Sequence, residues 1–172
     1  MKNVEKVVNH LKSNVMALDS ETIADFDNAI IGYYELNDHT HLVYSRNKII
    51  ENLIEVFSES EKDIDDSRQI EIETDAIEYY EFNICGAFIS RDGPVYALEF
   101  SHIDLEVIVE DEMIKGMLDE DYNDAIIGLS EGLHCDHSSN IMYSKKSLKK
   151  INPTIDLQRI EGMCIVVNDD MI

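Results

Sequence analysis

The chain has 172 residues, of which 44% are hydrophobic, and its formal net charge is −22 at pH 7. No apolar run reaches the roughly 18 residues of a membrane span, and the acidic excess argues against an extended basic nucleic-acid-binding surface. Three cysteines without metal or redox spacing predict reduced thiols. The N-terminus does not resemble a signal peptide, so we expect a cytoplasmic protein that contacts neither membrane nor nucleic acid directly.

Hydrophobic periodicity predicts the elements of the first half. Apolar residues at helical spacing predict a helix within residues 1–24. Strands are expected at 29–34 and 41–44, joined as a hairpin by a turn at 37–40. The apolar stripe from Ile49 to Phe57 then predicts a helix that starts near Lys48 and runs on towards Asp66.

Farther along, shorter patterns alternate between strand and helix. Ile70 and Ile72 alternate with acids in residues 69–75, which predicts a strand, and Thr74 is expected to N-cap a helix towards Asn83. A hairpin is expected from strands 87–89 and 95–100, with its turn at 91–94, followed by a strand over 103–109 with one buried face. The remaining chain predicts strand, strand and helix, with a final strand at 163–167.

One pattern, Asp-aromatic-(Asp/Asn)₂-Ala-Ile-Ile-Gly, occurs twice, at residues 25–32 and 121–128. Residues 43–50 also match 142–149, and 86–92 can be aligned with 162–168 through a shared Gly and Ile. Such self-similarity indicates that one structural unit was used twice. We predict an α+β fold of two tandem related units, in which short antiparallel hairpins pack against helices in one sheet or two.

The predicted domain organisation follows from this repeat. It comprises an N-terminal helix (1–24), a first unit with an acidic insertion (25–100), an acidic connector strand (101–120) and a second unit (121–172). One compact domain overall is the alternative.

The stretch Tyr-Tyr-Glu-Phe-Asn-Ile-Cys-Gly-Ala-Phe-Ile at 79–89, with Gly-Pro-Val-Tyr at 93–96, resembles a family of small proteins of unknown function encoded by tailed bacteriophages. The Asp-Asn-Ala-Ile-Ile-Gly strand before it and Val43-Tyr44-Ser45 belong to the same pattern, so the match covers residues 25 to 98. Ser45 stands where the family usually has Asp, and residues 58–74 are longer and more acidic than is typical. The resemblance implies a phage origin and no particular reaction.

Charge is concentrated in two segments. Residues 55–81 contain eleven acidic and two basic side chains, and residues 99–124 contain ten acidic and one basic. The candidate partner-binding carboxylates are Glu55, Glu59, Asp63, Asp66, Glu71, Glu73 and Asp75 in the first segment, and Asp104, Glu106, Glu110, Asp111 and Glu112 in the second. On a continued helix the first four would share one face, and rows of carboxylates can imitate the charge of a DNA backbone.

These rows lead to the functional hypothesis of a phage-encoded acidic protein that binds and inhibits a basic host protein, one that handles nucleic acid or acts in defence. An acidic interaction module without DNA mimicry is one alternative. Another is that the acidic faces only keep the protein soluble. The Lys145–Lys150 stretch is basic, and we expect it to offset neighbouring acids or to pair with another copy in a homodimer.

A third alternative is a small metal-binding protein or enzyme. His39 and His41 lie in the first predicted turn, and His134, Cys135 and His137 lie in the corresponding second turn. Adjacent turns could bring them together for zinc, although exposed loop histidines are the simpler interpretation. Asn83 with Tyr79 and Tyr80 is the most enzyme-like cluster, and we interpret it as a helix end with half-buried aromatic rings. We predict no enzyme activity and no cofactor.

Overall fold

The computed structural model describes residues 26–36, 39–59, 61, 63–85, 94–99, 120–131, 140–160 and 164–169. The described strands are β1 (Ile30–Leu36), β2 (His39–Ser45), β3 (Val95–Glu99), β4 (Ile126–Glu131), β5 (Ile141–Ser144) and β6 (Ile165–Val167). The described helices are α1 (Arg46–Ser58), α2 (Asp66–Tyr79), α3 (Lys145–Ile151) and α4 (Leu157–Ile160). A π-helical segment (Tyr80–Cys85) continues α2, and 3-10 helices (Phe26–Ala29 and Glu120–Ala125) precede β1 and β4. This confirms the α+β class.

Some predicted elements cannot be compared with this architecture. The helix within residues 1–24 and the strands at 87–89 and 103–109 lie outside the described residues, as does the turn at 91–94 apart from Pro94.

The six described strands form one sheet in the order β1-β2-β3-β4-β5-β6. The pairs β1/β2, β3/β4 and β4/β5 are antiparallel, whereas β2/β3 and β5/β6 are parallel. Helical connections after β2 and β5 return the chain so that the next strand runs in the same direction. The expectation of a purely antiparallel sheet is therefore wrong, because the sheet formed by the described strands is mixed.

The two edges of this sheet meet. The Asn168 N–H donates to the Tyr33 carbonyl at 2.7 Å, and the Tyr33 N–H donates to the Asn168 carbonyl at 3.3 Å. This antiparallel bridge joins β1 to the residue that follows β6, so the sheet closes on itself. Strands β3 and β4 also join the two halves of the chain, with Leu98 opposite Leu129. These two junctions, β1 with the end of β6 and β3 with β4, are called here the seams of the sheet.

A glycine lies at each seam because the backbones approach closely there. A Cβ at Gly32 would lie 2.6 Å from Val167 Cγ1 and 2.7 Å from the Asn168 carbonyl oxygen, and the φ of Gly32 is +154°. A Cβ at Gly128 would overlap the carbonyl oxygen of Leu98. The Gly of the repeated motif is therefore required by close approach of strands from the other half of the chain.

Side chains alternate between a central cluster and two outer clusters, as the period of a strand dictates. The central cluster contains Ile31, Tyr34, Val43, Val95, Ala97, Met142, Ile165 and Val167. The first outer cluster joins the sheet to α1, α2 and the π-helical segment and contains Leu42, Tyr44, Ile49, Leu53, Ala76, Tyr80, Ile84 and Tyr96 with Ala29. The second joins it to α3 and α4 through Ala125, Ile141, Tyr143, Leu148, Ile160, Cys164 and Val166. Thus α1 packs on the sheet and α2 packs on α1.

The N-termini of α1 and α3 are capped in the same way. Ser45 accepts from the Lys48 N–H, and Ser144 accepts from the Ser147 N–H, each as an N-cap. The Ser45 hydroxyl donates to Glu99 at the end of β3, and the Ser144 hydroxyl donates to Asp169 after β6. A carboxylate at the positive end of a helix also stabilises it electrostatically.

The strand register identifies the equivalent strands. Val95 lies opposite Val43, and Ile165 lies opposite Met142. Strand β3 therefore pairs with β2 as β6 pairs with β5. The predicted match of residues 86–92 to 162–168 cannot be compared with the structure, because residues 86–92 lie outside the described part of the chain.

Candidate functional site

Helices α1 and α2 and the loop between them, called here the acidic layer (residues 46–79), carry the first group of candidate carboxylates. Helix α1 packs on the sheet through Ile49 and Leu53, which are nearly inaccessible to solvent. Helix α2 packs against α1 and buries Ile72 and Ala76, so its acidic side chains lie on its other sides. All seven predicted carboxylates of this segment are exposed: Glu55, Glu59, Asp63, Asp66, Glu71, Glu73 and Asp75.

The predicted helix from Lys48 to Asp66 is not continuous. Helix α1 ends at Ser58, and Asp65 starts a new helix by accepting from the Arg68 N–H at 2.8 Å. An aspartate in this position favours the N-cap conformation over continued helix. The prediction that Glu55, Glu59, Asp63 and Asp66 share one helical face is therefore wrong, since Asp63 lies in the loop and Asp66 begins α2.

Residues 69–75 form part of α2, so the predicted strand is also wrong. Ile72 and Ala76 are buried at helical spacing, whereas Ile70 is 64% exposed. The two alternating isoleucines were too short a pattern to separate strand from helix. Thr74 is not an N-cap, and its hydroxyl donates to the Ile70 carbonyl within the helix.

Arg68 fixes the loop to α2. Its Nε donates to both carboxylate oxygens of Glu61, at 2.8 and 3.0 Å, and its Nη1 donates to Glu71 at 2.9 Å. These hydrogen bonds hold the pKa of Glu61 below its ordinary value. The planar guanidinium suits such bidentate pairing, so Arg68 neutralises the carboxylates on either side of it.

A groove of about 630 Å³ lies between α1 and α2. Its lining combines three aromatic rings with charged and amide groups: Val56, Phe57, Glu61, Arg68, Asp75, Glu78, Tyr79, Phe82 and Asn83. The Phe57 and Tyr79 rings meet edge to face with their centroids 5.8 Å apart. Ligand pockets typically enclose about 300 to 1,000 Å³ and combine apolar walls with a few polar groups.

Large apolar side chains are exposed beside the carboxylates. Phe82 is 79% exposed at the end of the groove, and Ile70 and Ile77 lie seven residues apart on the opposite flank of α2. The layer is thus an acidic surface with apolar contact points.

A second polar cluster, Tyr80 with Glu131, Arg46 and Cys85, links the two halves. The Tyr80 hydroxyl donates to Glu131 at 2.7 Å, and Arg46 Nε lies 3.5 Å from the same carboxylate. Burial, followed by the Glu131 charge, raises the pKa of both Tyr80 and Cys85 above their ordinary values. Raised pKa values keep the phenol and the thiol protonated near neutral pH, which makes both groups poor nucleophiles.

The predicted Asn83 cluster is divided between these two places. Tyr80 is buried in the first outer cluster, Tyr79 is partly buried, and Asn83 is exposed at the groove. The predicted helix end is instead a π-helical segment that runs to Cys85.

The histidine and remaining acidic predictions have mixed outcomes. His39 and His41 lie in strand β2, and His41 is only 7% exposed and stacks on Tyr34 with ring centroids 4.8 Å apart. The expectation of an exposed loop is therefore wrong for His41, because strand alternation turns its ring into a buried position.

The described part of the chain contains no group of three His, Cys, Asp or Glu side chains arranged to hold a metal. Outside the described residues lie His134, Cys135, His137, Asp104, Glu106, Glu110, Asp111 and Glu112.

Sequence reasoning missed the groove, the role of Arg68 and the role of Glu131. The Asp65 N-cap followed by Arg68 was the available signal for α2. Glu131 and Tyr80 are 51 residues apart in the chain, so only the fold reveals their contact.

None of the helices described here is long and apolar enough to cross a membrane. Comparison of the chain with protein-family models, with curated proteins and with solved structures gave no match.

Proposed function

We propose that this protein is an acidic binding protein that docks its acidic layer on the basic surface of a nucleic-acid-handling protein and inhibits it. One observation carries the proposal: seven carboxylates are exposed on one helical layer. In the described part of the chain, Arg68 is the cation that pairs with this layer, and it engages only Glu61 and Glu71.

A surface with this many carboxylates lowers the stability of the fold, and binding to a basic partner would offset that loss. Repulsion among like charges opposes the compact state, and a basic partner would relieve that repulsion. Proteins that bind nucleic acid carry clusters of Lys and Arg that contact phosphates, so they offer the complementary surface. Occupation of that surface would exclude the nucleic acid.

A second candidate is protein binding without competition with nucleic acid. The exposed Ile70, Ile77 and Phe82 favour it, because they offer apolar contacts that a phosphate backbone does not. In both cases the role is binding and not catalysis.

The proposal also covers the origin of the protein and its construction from two related units. The resemblance of residues 25–98 to phage proteins supports a phage origin, a location in the cytoplasm of the host cell and a role against host defence. The shared order of 3-10 helix, bulged strand, strand, Ser-capped helix and parallel strand supports two tandem copies of one unit.

A capture experiment tests the proposed function. The immobilised chain is incubated with bacterial lysate at low salt, and bound proteins are eluted with increasing salt or with duplex DNA. Elution of a DNA-binding protein by both treatments supports inhibition by competition. A partner that resists DNA supports the second candidate, and failure to retain any basic protein contradicts both.

A further inference from the structure

We propose that the groove between α1 and α2 binds one arginine side chain of the basic partner, with its guanidinium between the Asp75 and Glu78 carboxylates and the Tyr79 and Phe82 rings. This inference rests on the proposed function and specifies where the partner is recognised. The groove, its charge and its aromatic rings each contribute to the argument.

The charge of the groove is unbalanced. Of its three carboxylates, Glu61 is held by Arg68, whose Nη2 also contacts it within ion-pair distance. Asp75 and Glu78 form no ion pair with any of the described residues. They lie three residues apart and therefore on one side of the helix. The vacant side of the groove is thus suited to a cation.

The aromatic rings select the kind of cation. Phe57 and Tyr79 brace each other edge to face, and Phe82 extends from the π-helical segment with 79% of its surface exposed. A guanidinium stacks on aromatic faces and pairs with carboxylates in one plane, whereas an ammonium is compact and strongly hydrated. This combination favours arginine over lysine.

The chain contains this arrangement internally. The Arg46 guanidinium carbon lies 5.3 Å from the centre of the Tyr80 ring, while Arg46 Nε lies 3.5 Å from Glu131. An arginine between a tyrosine ring and a carboxylate is therefore a contact that this protein already makes within its own fold, at a partly buried position. The groove offers the same two groups to a side chain from outside.

The test uses the full ¹⁵N-labelled chain and two probes, acetyl-Gly-Arg-Gly-amide and its lysine counterpart. Amide shifts are expected to cluster at Phe57, Tyr79, Phe82 and Asn83, with at least about threefold tighter binding of the arginine peptide. Asp75→Asn and Phe82→Ala should each weaken binding by about fivefold. Circular dichroism checks that each variant is folded.

Asp156→Asn is the matched control, because it removes one exposed charge that lies just before α4 and outside the acidic layer. It should change binding by less than about twofold. Equal effects of Asp156→Asn and Asp75→Asn, equal binding of the two peptides, or shifts spread over all exposed carboxylates would overturn the inference.

The two proposals can fail separately. If a partner is captured from lysate with full affinity by the Asp75→Asn and Phe82→Ala variants, the groove proposal fails and the proposed function stands. If the arginine peptide binds the groove but no basic protein is captured, the proposed function fails.

Discussion

Replacing Ile70 and Ile72 separately by alanine measures the conformation of the acidic segment. In a strand the two side chains would share one face, but in α2 Ile72 is fully buried and Ile70 is 64% exposed. Truncation of a buried isoleucine costs about 2 to 5 kcal/mol through lost burial and the cavity that remains. Truncation at an exposed helical position changes the free energy of unfolding by less than about 0.5 kcal/mol.

Urea unfolding followed by circular dichroism resolves this difference. With a slope of about 2 kcal/mol per molar, Ile72→Ala should lower the midpoint by about 1 to 2.5 M, and Ile70→Ala should leave it within about 0.25 M. Equal destabilisation by both substitutions would refute the helical arrangement of the acidic layer. Equal stability of both would refute the burial of Ile72 in α2.

Three further predictions concern contacts that support this layer and the closed sheet. Tyr80→Phe removes the 2.7 Å hydrogen bond to Glu131 and should lower the free energy of unfolding by about 1.5 to 3 kcal/mol in urea melts; an unchanged midpoint would show that the bond contributes nothing. Because Arg68 lowers the pKa of Glu61, this carboxylate stabilises the fold above its ordinary pKa and loses that effect as pH falls through the lowered value. Arg68→Gln should therefore raise the Glu61 pKa in a carboxyl NMR titration. An unchanged Glu61 pKa would contradict the pairing of Arg68 with Glu61. Gly128→Ala should destabilise by about 1 to 3 kcal/mol because its Cβ would meet the β3 backbone, so a variant as stable as the parent would contradict the seam.

Local patterns predicted the elements that have long or repeated signals. The stripe that includes Ile49 and Leu53 placed α1, and those side chains are buried against the sheet. The parallel pairing of β2 with β3 was not predictable from such patterns, since it depends on where the helical connection returns the chain. The same holds for Gly32 and Gly128. A glycine in the repeated motif indicates that another backbone approaches closely, but it does not show which strand approaches.

The sequence predicted which carboxylates form the candidate site but not how they are arranged in space. The carboxylates from Glu55 to Asp75 are exposed as a binding surface requires, but their arrangement on two helices and a loop differs from the predicted rows. The groove arises because Asp65 interrupts the helix and Arg68 draws Glu61 back across the gap. A pairing across a loop depends on the turn that the chain makes there, which the charge pattern alone does not specify.

The most direct test of the proposed function is a competition measurement on the captured partner. Fluorescence anisotropy of labelled duplex DNA bound to that partner is recorded while the acidic protein is added at increasing salt concentrations. We predict that the acidic protein displaces the DNA. Its inhibition constant should rise steeply with salt concentration, and it should rise further when Glu71, Glu73 and Asp75 are replaced by the corresponding amides. A ternary complex in which the partner holds DNA and the acidic protein together would contradict the proposed competition.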